Sequence, residues 1–234
     1  MATYLYCLFR DRADPPPGLT GIAGSPIRGI DAGPLRAWVE SAPGAPAVSP
    51  ESLAVHDAVT TAGLSNASTP LPARFGDVFE SDEACISSLV AKSGDLLAAL
   101  DRVAGRVEMT VAIRLYAIEP SMSAQPVDPG STKPGRAYLE RLREERHDIQ
   151  ILRQQGHVLA RPVISAVRHL VADECAALRP SPPTYLVSHL ISRDAVDEYR
   201  RLASAAIGGR SATEPLRAIV RGPSAPFSFT TVPG

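Results

Sequence analysis

No excess of charge of either sign marks this chain of 234 residues: 24 basic and 25 acidic side chains leave a formal net charge of −1. The charges are mixed along the sequence with no acidic or basic tail, so no global field draws nucleic acid or anionic lipid. Cysteine is scarce and odd in number. Cys7, Cys85 and Cys175 are widely separated, which fits reduced thiols in a cytosol rather than a disulfide framework. Long apolar runs are missing as well. The best, Met109 to Ile118, is interrupted by Arg114 and is far too short to span a bilayer. The opening residues carry no basic region before Arg10-Asp11-Arg12, so no signal peptide is expected.

The motif inventory is equally thin. There is no GxGxxG, no HExxH and no GxSxG, and Gly130-Ser131-Thr132-Lys133 lacks the spacing of a phosphate-binding loop. The histidines (His56, His147, His157, His169, His189) form no i,i+4 pair, and the cysteines are scattered, so no metal site and no cofactor are expected. Cys175 follows Asp173 and Glu174, whose charges oppose a reactive thiolate.

What the chain does have is proline (22) and glycine (17), which supply loops, and 44% hydrophobic residues, which supply a core. Thr3 to Phe9 reads as a strand with Leu5, Cys7 and Phe9 on its core side and Tyr4 and Tyr6 on the other. Weaker strands are expected over Ile22 to Ile30 and Leu35 to Glu40. Ser49-Pro50-Glu51 opens a helix carrying His56 and Val59 that ends at Gly63. Ser81 caps a second helix running to Gly105 on the stripe Ile86, Leu89, Val90, Leu97 and Leu100, with Gly94 inside it. Val107 to Ala117 alternates as a half-buried strand, with Glu108, Thr110 and Arg114 on the face away from the apolar one.

This order suggests an α+β protein of two domains. The first, residues 1–120, is expected to be a ferredoxin-like split βαβ sheet with helices on one face. A Pro/Ser/Gly-rich linker over 121–135 leads to a C-terminal α+β domain, 136–234. There a helical pattern runs from Arg136 to about Leu178, with a kink or hairpin expected near Gly156 and Pro162. A central strand over Tyr185 to Ile191, a helix through Val196 to Ala206 and a strand over Leu216 to Arg221 follow. A proline-rich, aromatic tail closes the sequence.

Between the first two helices lies Leu71-Pro72-Ala73-Arg74-Phe75-Gly76-Asp77-Val78-Phe79. Arg74 is expected to be buried, since it sits among apolar residues. As a structural pin it would bond loop carbonyls near Gly76; as a binding arginine it would serve a ligand. The pin is the favoured reading.

This stretch also resembles the LP-x-RFG-x-VF core of the gas vesicle protein F/L family (GvpF/GvpL). Other pieces match in family order: Tyr4-Leu5-Tyr6, His56 with Val59, Gly105-Arg106-Val107-Glu108, and Gly135-Arg136-Ala137-Tyr138-Leu139. The tail, Gly222-Pro223 through Phe227-Ser228-Phe229, is similar to the family's GPWPPYSF ending, with Ser224 and Ala225 in place of Trp-Pro and Phe227 in place of tyrosine. The marker positions are therefore His56, Pro72, Arg74, Phe75, Gly76, Phe79, Gly105, Glu108, Tyr138, Leu139, Gly222, Pro223, Phe227 and Phe229.

The resemblance implies a non-enzymatic accessory or structural protein of gas vesicle formation. It implies binding to the small hydrophobic shell protein and to other accessory proteins, and a place on the vesicle, at its gas-facing surface, within the cytoplasm. It carries over no catalytic residue, cofactor or metal. The competing reading from the residues alone is a ferredoxin-like ligand-binding module or enzyme, with His56 and Arg74 sharing a cleft.

Overall fold

The computed structural model describes residues 1–65, 69–115, 134–208 and 218–230. The linker read over 121–135 lies outside these residues except for its last two positions, which begin a helix. The chain forms two compact units, one made of 1–109, 189–196 and 222–234, the other of 110–188 and 197–221. It is α+β throughout.

In the first unit, β1 (Ala2–Phe9) pairs antiparallel with β3 (Leu35–Ala42), which pairs antiparallel with β2 (Arg28–Ala32). The β1–β3 register shifts between Leu5 and Cys7, a bulge that lets Tyr4, Tyr6, Cys7 and Phe9 enter one core cluster with Trp38 and Val59. Residues Thr3 to Phe9 are all buried, so β1 is covered on both faces. Its other edge is taken by β4 (Leu71–Pro72), opposite Cys7 and Leu8, and β5 (Val78–Phe79), opposite Thr3 and Tyr4.

Helix α1 (Pro50–Ala62) opens with the expected Ser49 cap, whose Oγ accepts the Ser52 N–H at 3.1 Å. Where one helix was expected after Ser81 there are two. These are α2 (Asp82–Ala91) and α3 (Ser93–Val103), separated at Lys92, where φ −105° and ψ 11° leave the helical region. Apolar spacing carries on through the break, which is why the pattern reads as continuous.

Strand β6 (Arg106–Arg114) buries Val107, Met109, Val111 and Ile113 as its alternation dictates. The sequence pattern makes it the closing strand of the first sheet; instead it belongs to a second, four-stranded one of order β7-β8-β6-β9. The remaining strands are β7 (Val171–Pro180), β8 (Pro183–Ser192) and β9 (Ala218–Ser224). Helix α4 (Pro134–Val167) connects β6 to β7, and α5 (Val196–Gly208) connects β8 to β9. That is the βαββαβ connection of a ferredoxin-like sheet, placed later in the chain than the sequence suggests.

Helix α4 corrects two further expectations. It runs unbroken for 34 residues through Gly156 and Pro162, and Val171 onward, read as helix, is strand. Pairing with β8 outweighs the helical preference of Ala172, Glu174, Ala176, Ala177 and Leu178. Ala160, Val163 and Val167 form its buried stripe. Gly156 stands where a Cβ would come within 2.3 Å of Tyr185 Cγ. Helix propensity alone favours alanine over glycine by about 1 kcal/mol, but forcing a methyl into this contact costs about 1–3 kcal/mol. Gly156→Ala is therefore expected to lower stability in urea unfolding. Gly94→Ala, with nothing within 4 Å of the new Cβ, is expected to raise it.

Candidate functional site

The stretch Leu71–Phe79 is a bow whose ends are pinned to β1. Ala73 N–H donates to the Tyr6 carbonyl (2.9 Å), and Leu5 N–H donates to the Asp77 carbonyl (3.0 Å). Between these ties, Asp77 N–H reaches back to the Arg74 carbonyl (3.2 Å), and Gly76 sits at φ +94°. This is a type II-like β-turn with Gly76 at the third position, where positive φ calls for glycine. The Asp77 carboxylate closes it by accepting the Arg74 N–H at 3.2 Å.

The turn decides the fate of Arg74. At the first position its side chain points outward and is exposed, so the buried structural pin expected from its apolar neighbours is not what forms. It lines a crevice of about 480 Å³ with Leu5, Leu8, Leu71, Leu89 and Lys92. Arg74→Ala is accordingly expected to change stability by no more than about 0.5 kcal/mol, as at an ordinary surface position. A large drop in melting temperature would contradict this placement.

The group that occupies the interior is His56. Its Nε2–H donates to the Ala73 carbonyl (3.3 Å). That fixes the tautomer, because a carbonyl only accepts; Nδ1 is then free to accept the Tyr4 hydroxyl at 2.8 Å. Tyr4 Oη accepts the Gly76 N–H at 3.2 Å, so one chain of bonds links α1, β1 and the bow. Tyr6 stacks on the imidazole with ring centroids 5.3 Å apart. Phe75 and Phe227 flank it at 5.7 and 6.0 Å. Burial lowers the His56 pKa below its usual 6.5, against the opposing pull of the Ala73 carbonyl and of Asp57 and Asp77. Burial likewise pushes the Tyr4 hydroxyl up to about 12.

A base whose folded pKa is depressed binds its proton more tightly when unfolded. Its contribution to stability is complete above the unfolded value, 6.5, and declines as pH falls below it. The wild type is expected to lose stability between pH 7 and pH 5 more steeply than His56→Gln, measured by chemical unfolding at each pH.

Beside this cluster, Glu40 is fully buried. Its Oε2 accepts the Tyr6 hydroxyl (2.8 Å), and its Oε1 accepts the N–H groups of Ala23 and Ser25 (both 2.9 Å). The carboxylate clamps the segment that the sequence reads as the start of a strand at Ile22, and β2 begins only at Arg28. Gly21 is packed so close that a Cβ would lie 2.2 Å from Glu40 Oε2. Sequence reasoning missed Glu40. The available signal was an acid closing an otherwise apolar strand pattern, opposite a glycine-rich segment.

The tail markers join the same unit. Glu108, expected on the open face of its strand, is buried, and its carboxylate accepts Ser228 N–H (2.8 Å) and Ser228 Oγ–H (2.7 Å). The Arg102 guanidinium donates to the Phe229 carbonyl, and Phe229 is itself buried. Gly222 has φ +109°, and a Cβ there would lie 2.6 Å from the Glu108 carbonyl oxygen. Pro223 follows it in β9, with its side chain exposed. Gly105, at φ +67°, accepts Arg193 N–H through its carbonyl (3.1 Å). Pro72 is buried opposite Cys7, and Phe79 pairs with Thr3. Tyr138 and Leu139 lie near the start of α4, with side chains outside the described residues.

His56 is thus gathered with Phe75, Gly76 and Phe227, whereas Arg74 turns away; His56 does not line the crevice that Arg74 lines. Among the described residues no group of three or more His, Cys, Asp or Glu could hold a metal ion, and no helix is long and apolar enough to cross a membrane.

No curated protein sequence matches this chain. Among solved structures it is similar to gas vesicle protein GvpF from Microcystis aeruginosa, with 17% identity and a TM-score of 0.71 over 98% of this chain and 99% of that one. It is similar also to GvpF from Anabaena sp. PCC7120, with 18% identity and a TM-score of 0.74 over 100% of this chain and 97% of that one. At such identities the likeness speaks for the fold. The family pattern of gas vesicle synthesis protein GvpL/GvpF matches residues 2–231, a span that takes in the Leu71–Phe79 bow, His56 and the Glu108–Ser228 tie alike. The chain belongs to the GvpL/GvpF family of gas vesicle accessory proteins.

Proposed function

We propose that this protein acts without catalysis, by binding the small hydrophobic shell protein and other accessory proteins while the gas vesicle is nucleated or assembled. The observation that carries the reading is how the family markers are used. His56, Gly76, Glu108, Gly222 and Phe229 meet internal partners and knit one scaffold. Groups consumed in this way hold a surface in place; they are not left converging on a substrate. An aggregation-prone subunit is then sequestered through that surface, by strand pairing or in an apolar crevice.

The reading is tested by co-purification of the full chain with the shell protein, together with deletion of its gene. Capture of shell subunits and loss of vesicles are expected. Intact vesicles in the deletion strain, with no vesicle component captured, would sink the idea. The gas-facing location is tested separately by surface labelling of intact and of collapsed vesicles. Labelling that requires collapse is expected, and equal labelling of both would argue for the outer surface.

A further inference from the structure

The open edges of the two sheets are not alike. In the first sheet the edge strands are short: β2 has five residues and lies against α2, and β4 and β5 have two residues each. In the second, β9 has seven residues and carries Pro223. Strand β7 has ten, with a single proline at its last position, and β8 is its only neighbouring strand among the described residues. Ala172, Asp173, Glu174, Ala176, Ala177 and Arg179 are all exposed. A long exposed edge is a template for another strand, and folded proteins usually blunt it.

The charges on β7 say which strand fits. If two β7 strands run antiparallel about a two-fold axis at Ala176, Ala176 faces itself and Asp173 falls directly opposite Arg179. The match occurs twice by symmetry, with both side chains on the same face of the sheet. Cys175 then faces Ala177, and Glu174 faces Leu178, so no like charges are opposed. Stacking the strands parallel and in register would set Asp173 on Asp173 and Glu174 on Glu174, which is repulsive. A two-fold contact is also self-limiting, since each edge is used once. We infer that β7 pairs with β7 of a second copy of this chain, joining the two ferredoxin-like sheets into one continuous sheet.

The experiment uses the full chain with Cys175→Ser as background, because Cys7 and Cys85 are buried. Ala176→Cys is treated with a short bis-maleimide; facing Cβ atoms about 5 Å apart should link into a covalent dimer. Ala172→Cys, which falls opposite Pro180 and far from its own symmetry mate, should not. In sedimentation equilibrium Arg179→Asp should weaken self-association about tenfold or more, as two attractive pairs become repulsive. The double variant Asp173→Arg/Arg179→Asp should restore it. Circular dichroism confirms that each variant folds. A wild type that stays monomeric at every attainable concentration overturns the proposal, as does cross-linking of Ala172→Cys as readily as Ala176→Cys.

Discussion

Glu40→Ala is expected to remove on the order of 4 kcal/mol of stability, the largest effect of any single polar change in the first unit. The carboxylate accepts three hydrogen bonds inside the fold, from Tyr6 Oη, Ala23 N and Ser25 N. Truncation leaves the buried Tyr6 hydroxyl and the two loop N–H groups without this acceptor, at about 1–3 kcal/mol for each one that water cannot reach. It also opens a cavity beside Tyr6 and Gly21. Glu40→Gln is the informative companion. Its carbonyl oxygen can still accept the two backbone N–H groups. Its amide meets the Tyr6 oxygen, which already accepts Ile22 N–H at 2.8 Å, so a smaller loss of about 1–2 kcal/mol is expected. Urea unfolding orders the three proteins, and hydrogen exchange at Ala23 and Ser25 reports the clamp directly. Unchanged exchange at those amides in Glu40→Ala would mean that the loop is held by something other than the carboxylate.

Glu108→Ala should cost about 3 kcal/mol and, in addition, free the tail. Ser228 offers both its backbone N–H and its hydroxyl to this one carboxylate, and bonds to a charged acceptor contribute about 1.5–3 kcal/mol. With the anchor gone, Phe227 leaves its contact with His56, and the peptide bonds after Phe227 and Phe229 become accessible to chymotrypsin. Limited proteolysis should therefore clip the variant near its C-terminal end at protease levels that spare the wild type. Equal resistance of the two, with equal melting temperatures, would show that Arg102 and the burial of Phe229 suffice to hold the tail.

Much of the scaffold was legible because local signals and tertiary packing agree. The Ser49 cap and the alternation of Val107 to Ile113 each follow from rules that act over a few residues. The failures occur where distant partners decide. The helical preference of Ala172 through Leu178 yields to pairing with β8, which no nearby residue announces. Arg74 sits in an apolar neighbourhood of sequence, but the turn geometry set by Gly76 aims its side chain out. Glu108 falls on the polar half of an alternating pattern, yet a residue 120 positions later covers it. His56 is visible as a lone histidine on an amphipathic helix; its partners, Tyr4, Ala73 and Phe227, come from three separate stretches of chain. The family resemblance marks Arg74, Glu108 and His56 alike and does not announce that Arg74 alone is exposed.

The return of the tail onto the first unit has a consequence for how this protein is made. His56, Glu108 and Arg102 leave the ribosome 120 residues or more before their partners Phe227, Ser228 and Phe229. The first unit therefore cannot finish packing until those residues have emerged. A chain cut before Gly222 would leave that interior open in place of a shortened but sound protein.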